Sequence, residues 1–295
     1  MAERIDSPAN KKIKQMESLL LRKHRQKQGL FRVEGVRLAE MAAASGWQLE
    51  FGLYTQELAK KERGSRLLQA LKPLGPLYEI SESLARRVAA TDTPQGIFLV
   101  MRQPSWQSME LRTTGAALYV VLDGVQDPGN AGTIIRTADA IGADGVILMK
   151  GSVDIYSDKV VRASMGSIFH LPILHDMEPA ALCALAKREG WQLLATALDE
   201  TAQPLFTADF RPSSVIIFGN EGNGVSGELL AAAQKVYIPM YGRAESLNVG
   251  VSAASCFMKR CASAAFSLCP RRGKRRGSLF AGRRGRYPAA VRGHC

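Results

Sequence analysis

Three short segments hold residues able to do chemistry, and each follows directly on an apolar run. In DGVQDPGNAGTIIRTADA (123–140), Pro128, Gly129 and Gly132 force a tight turn, Asn130 supplies an amide, and Arg136 follows six residues on. A helix starting there exposes N–H groups and a positive dipole end, which suit an anion such as phosphate. The plainer alternative is that Asn130 caps the helix and Arg136 is a solvated surface residue. FGNEGNGVS (218–226) sets Gly219, Gly222 and Gly224 around Asn220 and Glu221. Its G-x-x-G-x-G spacing is neither the dinucleotide fingerprint nor a phosphate loop ending in Gly-Lys-Ser/Thr, and alone it is a glycine-rich turn. IPMYGRAESLNVGVSAAS (238–255) carries Ile238, Met240, Arg243, Glu245, Ser246, Leu247 and Asn248. The small residues that follow, from Val249 to Ala254, let another backbone pack close or simply fill a tight core.

The elements that must position these loops are legible as periodicity. From residue 117 onward, fully apolar runs at 117–125, 145–150, 171–175, 192–198, 214–220 and 236–240 alternate with helical patterns at 131–142, 158–169, 178–189 and 226–235. Continuous apolar strands spaced by helices predict a parallel sheet covered on both faces, with its ligand site at the strands' carboxyl ends. Residues before 102 read as a smaller α/β unit. Helices are expected at 11–29, 36–46, 62–73 and 82–90, with strands at 30–35, 47–54, 76–80 and 96–101. Residues 102–115 are polar and turn-rich, which suggests a linker. The expected division is 1–104, a linker at 105–116, 117–258, and a basic tail at 259–295.

The net charge of +12 comes from 39 Lys and Arg against 27 Asp and Glu. Residues 259–295 hold 11 of the basic residues and no acid, so 1–258 carries 28 against 27, a net of +1. The charge is therefore an appendix and does not by itself argue for nucleic acid. The five cysteines (183, 256, 261, 269 and 295) show no metal-ligand spacing, so neither a metal nor a disulfide framework is expected. No apolar stretch reaches 18 residues, and MAERIDSPANKKIK lacks a secretory core. A cytoplasmic protein with no membrane association is the expectation. His170 and His175 flank a strand and read as local hydrogen-bonding residues.

Taken together and in order, the three segments resemble the signature motifs of the SpoU/TrmH family of RNA ribose 2′-O-methyltransferases. The resemblance covers roughly 117–258, and GLFRVEGVRL (29–38) extends it more loosely to the first unit. It implies an α/β fold: a knotted parallel-sheet SPOUT methyltransferase domain preceded by a small ribosomal-protein-like RNA-binding domain. It implies S-adenosylmethionine as cofactor, with Gly219, Ile238 and Leu247 holding it through backbone groups and Asn220, Gly222 and Met240 completing the pocket. Asn130, Arg136, Glu221, Ser246 and Asn248 fall at its catalytic positions, and the family assigns the base role to the arginine. An arginine almost never deprotonates, so charge stabilisation and phosphate positioning suit Arg136 better. Glu221 then either acts on the proton or positions Arg136. The implied partners are RNA, ribosomal ahead of transfer RNA, and a second copy of the chain. The basic residues of 11–27 tilt toward RNA contact. Rival readings are a transfer-RNA substrate and a catalytically idle RNA-binding protein of the same fold. A nucleotide-binding oxidoreductase is disfavoured by the glycine spacing.

The tail departs from the family. Its last helix breaks off into SCFMKRCAS (255–263) and then an arginine-glycine run. Plausible codons for 254–263, read from the third base, give Ile-Leu-Leu-Tyr-Glu-Ala-Leu-Arg-Gln, a helix of the expected kind. Only the Glu is forced, through the Met258 codon. Two explanations stand: a one-base slip at or just before Ala254, or a genuine basic extension that binds RNA. Both predict disorder after about residue 269, and the substituted helix still sets Phe257, Cys261, Ala264 and Leu268 on one face. Sequencing the coding DNA decides: the slip requires an uninterrupted family-like helix in the original frame.

Overall fold

The computed structural model describes residues 3–106 and 116–267, so most of the linker and the tail beyond Ser267 lie outside the described residues. The larger sheet contains β6 (Leu118–Asp123), β7 (Gly145–Met149), β8 (Ile173–Met177), β9 (Gln192–Thr196), β10 (Gln203–Pro204), β11 (Ser214–Gly219) and β12 (Gln234–Tyr237). Their order is β10-β12-β9-β11-β6-β7-β8, and every pairing is parallel. β6, β7 and β11 are buried along their whole length, as continuous apolar strands require. Helices α7 (Pro128–Ala140), α8 (Asp158–Ala163), α9 (Pro179–Glu189), α10 (Gly227–Ala232) and α11 (Val249–Ser267) supply the cover. Parallel strands bring all their carboxyl ends to one edge, and the three motif loops emerge there.

The smaller sheet is mixed. β1 (Glu3–Ile5), β4 (Leu77–Ile80) and β3 (Leu49–Thr55) pair in parallel, whereas β5 (Ile97–Arg102) lies antiparallel between β3 and β2 (Leu30–Glu34). The helix expected over 11–29 is two, α1 (Lys11–Ser18) and α2 (Arg22–Gln28). Leu21 is extended at the break, and the Arg25 guanidinium donates to the freed carbonyls of Leu19 and Leu20 at 2.7 and 2.8 Å. A buried cation inside α2 thus ends the preceding helix. The pattern at 158–169 breaks similarly, because Met165 and Gly166 take positive φ after α8. The strand at 171–175 shifts to 173–177, and the helix at 226–235 shortens before β12.

The two units share an apolar core. Phe31 and Leu99 from the smaller sheet pack in one cluster with Leu122 of the larger sheet and with Ile168 and Phe169 from the turn that precedes β8. Phe31 and Trp47 meet the Tyr156 and Phe169 rings at 4.9 and 5.1 Å. Arg25 also pairs with Asp154 at 2.7 Å, and buried Arg32 reaches Asp158 at 3.4 Å.

α11 runs through Ser267, so the first part of the expected basic tail is helical. Its docked face is Ala253, Cys256, Phe257 and Arg260, at the i, i+3, i+4, i+7 spacing of a helix. Phe257 sits 5.7 Å from the Phe218 ring, and Arg260 donates to the carbonyls of Phe210, Arg211 and Ala116. Cys261 is exposed, which corrects its expected place beside Phe257; Leu268 lies outside the described residues.

Candidate functional site

β6 and β11 are neighbours in register, with Gly219 opposite Asp123, so their exit loops start side by side. Asn220 donates its side-chain amide to the Gly124 carbonyl at 2.8 Å, and Asp123 accepts the Ser226 N–H at 2.7 Å. The glycine loop is thereby fastened at both ends to the loop after β6. A Cβ at Gly219 would lie 2.1 Å from the Gly224 carbonyl carbon, so only glycine permits this fold-back. Asn220 also receives the N–H groups of Gly222 and Asn223 on its Oδ1.

Glu221, Asn130 and Asn248 join all three loops. Glu221 Oε1 accepts from Asn130 Nδ2 at 3.0 Å and from the Asp127 N–H at 3.3 Å, and its Oε2 accepts from the Gln126 N–H. Asn130 Oδ1 in turn accepts from Asn248 Nδ2 at 2.9 Å. Asn248 caps α11 through the N–H groups of Gly250 and Val251, while Asp127, with Pro128 behind it, caps α7. The cap at α7 is thus Asp127, and Asn130 is released for the contact between loops. Partial burial pushes the Glu221 carboxyl up, but the donors from Asn130, Gln126 and Asp127 outweigh it and hold the group below its ordinary value. Its oxygens face donors rather than Arg136.

A cleft of about 760 Å³ opens beside this junction at the ends of β9, β11 and β12. Gly219, Asn220, Glu221, Gly222, Ile238, Met240, Ser246, Leu247 and Asn248 all line it, so the structure brings the expected pocket residues together. Leu205, Val236 and Cys256 add an apolar wall; burial pushes the Cys256 thiol up to about 12. Three carboxylates line the cleft, Asp199, Glu221 and Glu245, and among the described residues no Lys or Arg does. Hydrogen bonds from Lys235 and Thr201 hold Asp199 ionised, well below the usual carboxylate range.

Asn130 adjoins the cleft without lining it. Arg136 stands apart, exposed on α7 with no hydrogen bond or ion pair among the described residues. His170 and His175 bond the neighbouring carboxylates of Asp139 and Asp176, each at 2.8 Å, as the sequence suggested. Sequence reasoning passed over Asp123, Gln126, Asp127, Thr196 and Asp199. The signal for Asp127 was its Asp-Pro step at a helix start, and Asp123 and Thr196 end apolar strands.

Comparison with known proteins bears on this geometry. The SpoU rRNA Methylase family matches residues 117–258, and the MRM3-like substrate binding domain matches residues 10–99. A Bacillus subtilis protein, 23S rRNA (guanosine(2553)-2′-O)-methyltransferase RlmP, is 38% identical over 85% of this chain and 96% of its own. The 23S rRNA (uridine(2479)-2′-O)-methyltransferase of Streptomyces viridochromogenes is 30% identical over 86% of this chain and 90% of its own. The AdoMet-bound rRNA methyltransferase from Sinorhizobium meliloti superposes with a TM-score of 0.80 at 30% identity, covering 88% of this chain and 97% of that one.

The depressed Glu221 gives a pH signature. A carboxyl lowered on folding stabilises the fold above its unfolded value, and that stabilisation is lost as pH falls through the folded one. Glu221→Gln should cost less than about 1 kcal/mol at pH 7, since the group is solvent-exposed. The difference from wild type should start to shrink as pH drops below the ordinary value of 4.5 and go on shrinking as pH falls through the lowered folded value. Thermal melts of both proteins at pH 7 and pH 3.5 check it; equal differences at both would show that the hydrogen bonds do not depend on the charge.

Proposed function

The chain belongs to the SpoU rRNA methylase family, and from that premise we propose that it transfers a methyl group from S-adenosylmethionine to a ribose 2′-hydroxyl in large-subunit ribosomal RNA. The carrying observation is the charge of the cleft. Walls with three carboxylates, of which Lys235 engages only Asp199, and with no lining cation among the described residues, disfavour a pyrophosphate-bearing dinucleotide and favour a ligand with a positive sulfonium and ammonium. The volume fits a ligand of that size, and the Gly219 fold-back draws the glycine loop along its wall. The backbones of Gly219, Ile238 and Leu247 hold the adenosine and methionine parts, with Asn220, Gly222 and Met240 completing the pocket.

When bound, S-adenosylmethionine supplies a methyl group already activated by its sulfonium. The protein's part is to align the 2′-oxygen and manage its developing charge. Asn130 and Asn248 sit on the cleft's rim, fixed by Glu221, and with Ser246 they orient the ribose. Glu221 is a positioning residue: its oxygens are occupied by donors and its basicity is reduced, which argues against it as the proton acceptor. Arg136 lies about 9 Å along the α7 axis from Asn130. Without a partner among the described residues, its guanidinium is available to the phosphate beside the target ribose and to the attacking 2′-oxygen as that oxygen gives up its proton.

The proposal extends to a cytoplasmic homodimer and to the family's trefoil knot. Val251 and Met258, seven residues apart and so on one helical face, are exposed on α11, which packs on α7, the helix that bears Arg136. β12 leaves into residues 238–248 and α11 returns to α7, the kind of traverse a knot uses.

Ribose-methylation mapping of RNA from cells with and without the gene tests the function. One 2′-O-methyl mark should disappear from large-subunit ribosomal RNA; a mark lost from transfer RNA would move the substrate. Calorimetry with S-adenosylmethionine addresses the idle-binder reading, which requires no heat. Gly219→Ala should abolish that heat, whereas Arg136→Ala should keep affinity within a few-fold and lower the methylation rate about a hundred-fold. Arg136→Lys should rescue poorly, because an ammonium lacks the bidentate fork. Near-normal turnover by Arg136→Ala at saturating RNA would return this residue to the solvated surface.

A further inference from the structure

The catalytic cleft occupies only part of the sheet's carboxyl edge. β7 and β8 continue that edge, and the loop after β7 carries the contact that fastens α2 to it. There Arg25, 4% exposed, holds Asp154 at 2.7 Å. The outward side of α2 therefore stands over the same edge as the methyl-transfer site. Of the four cations in RKHRQKQ, only Arg25 is engaged; Arg22, Lys23 and Lys27 are exposed and without hydrogen bonds or ion pairs among the described residues.

A second cleft lies at this junction, lined by Arg22, Gln26, Gln103 and His175 among others. Its volume of about 30 Å³ is too small to bury a nucleobase, but a backbone can run across it. Gln103 spends its Nε2 donors on the Arg25 and Leu30 carbonyls, which leaves its oxygen to accept. The two acids at the cleft are each engaged by a neighbour, Asp154 by Arg25 and Asp176 by His175. Cationic heads beside neutral donors and acceptors match a sugar-phosphate chain better than a bare anion.

The two clefts are joined by fixed backbone. Gly124 donates its N–H to Ser152 Oγ at 3.0 Å, Val153 N–H reaches the Val125 carbonyl at 3.0 Å, and Gln126 donates its side-chain amide to the Gly151 carbonyl at 2.5 Å. Gln126 also donates its N–H to Glu221, so one residue touches both the catalytic junction and the loop leading to α2.

We infer that the RNA strand flanking the target ribose runs along this edge, from Asn130 across the 150–153 loop, with its phosphates held by Arg22 at the second cleft and by Lys23 next to it on α2. This rests on reading the chain as an RNA methyltransferase. The distance between the catalytic junction and α2 is then fixed by packing, and it selects RNA whose backbone follows that path.

Filter binding of in-vitro-transcribed, protein-free large-subunit ribosomal RNA tests the inference, comparing wild type, Arg22→Ala/Lys23→Ala and a control, Lys187→Ala/Arg188→Ala. The control cations sit at the end of α9, near the opposite edge of the sheet. The Arg22/Lys23 variant should bind about tenfold more weakly at 0.1 M salt, and the slope of log affinity against log salt should fall by about 2. Its heat with S-adenosylmethionine should be unchanged, its KM for RNA raised, and its rate at saturating RNA within about twofold of wild type. Affinity and slope equal to wild type, or an equal loss in the control, would overturn the inference. Weakened binding in a protein that methylates no ribose would leave the surface standing and remove the catalytic reading. Methylation with unweakened binding would do the reverse.

Discussion

One hydrogen-bonded junction organises the catalytic half of the molecule: Glu221 to Asn130 to Asn248, one side chain from each of three loops distant in sequence. Each member also serves local structure. Glu221 collects the N–H groups of Gln126 and Asp127, and Asn248 caps α11. The junction forms only if the glycine loop doubles back at Gly219 and if β6 and β11 are adjacent and in register. The parallel sheet, the close Gly219–Gly224 approach and the docking of α11 are thus geometric preconditions of one small polar network. Hydrogen bonds to an ionised carboxylate are stronger than neutral ones, which suits a site that must be rigid before its substrate arrives.

How far the sequence reveals this depends on where the information lies. β6, β7 and β11 are buried on both faces, so their residues are apolar without interruption and their class is plain from periodicity. The loops are legible because glycine and proline restrict what a backbone can do, and every expected pocket residue lines the cleft. The break at Leu19–Leu21 was not legible, since it depends on Arg25, a residue of good helical propensity, being buried against Asp154. Asp199 was missed for a similar reason: a carboxylate in a loop has no pattern until Lys235, from β12, is brought beside it. The exposure of Cys261 shows the complementary error, because spacing defines a helical face but not how wide a stripe docks.

The junction between the two sheets is costly in charge and correspondingly exacting in geometry. Burial pushes the Arg32 guanidinium down and the Asp158 carboxyl up, so both partners resist the desolvation they share. Such a pair contributes little net stability compared with apolar residues of similar size. The apolar cluster around Phe31, Tyr156 and Phe169 supplies the attraction, and Arg25–Asp154 with Arg32–Asp158 set the angle at which the units meet. A substrate-binding unit that swung freely would lose entropy each time it engaged RNA; one already docked has lost it on folding.

Opposite charges are segregated along a single edge. The cofactor cleft is acidic and the exposed side of α2 is basic, with the neutral amides of Gln126 and Asn130 between them. A cationic cofactor and an anionic chain are thereby drawn to neighbouring places without competing for one. The same separation explains why Arg136 can stand outside the cofactor cleft. Inside it, a guanidinium would repel the sulfonium and be neutralised by Asp199, Glu221 or Glu245. On α7 it stays exposed, its charge neither set against the sulfonium nor spent on a carboxylate among the described residues.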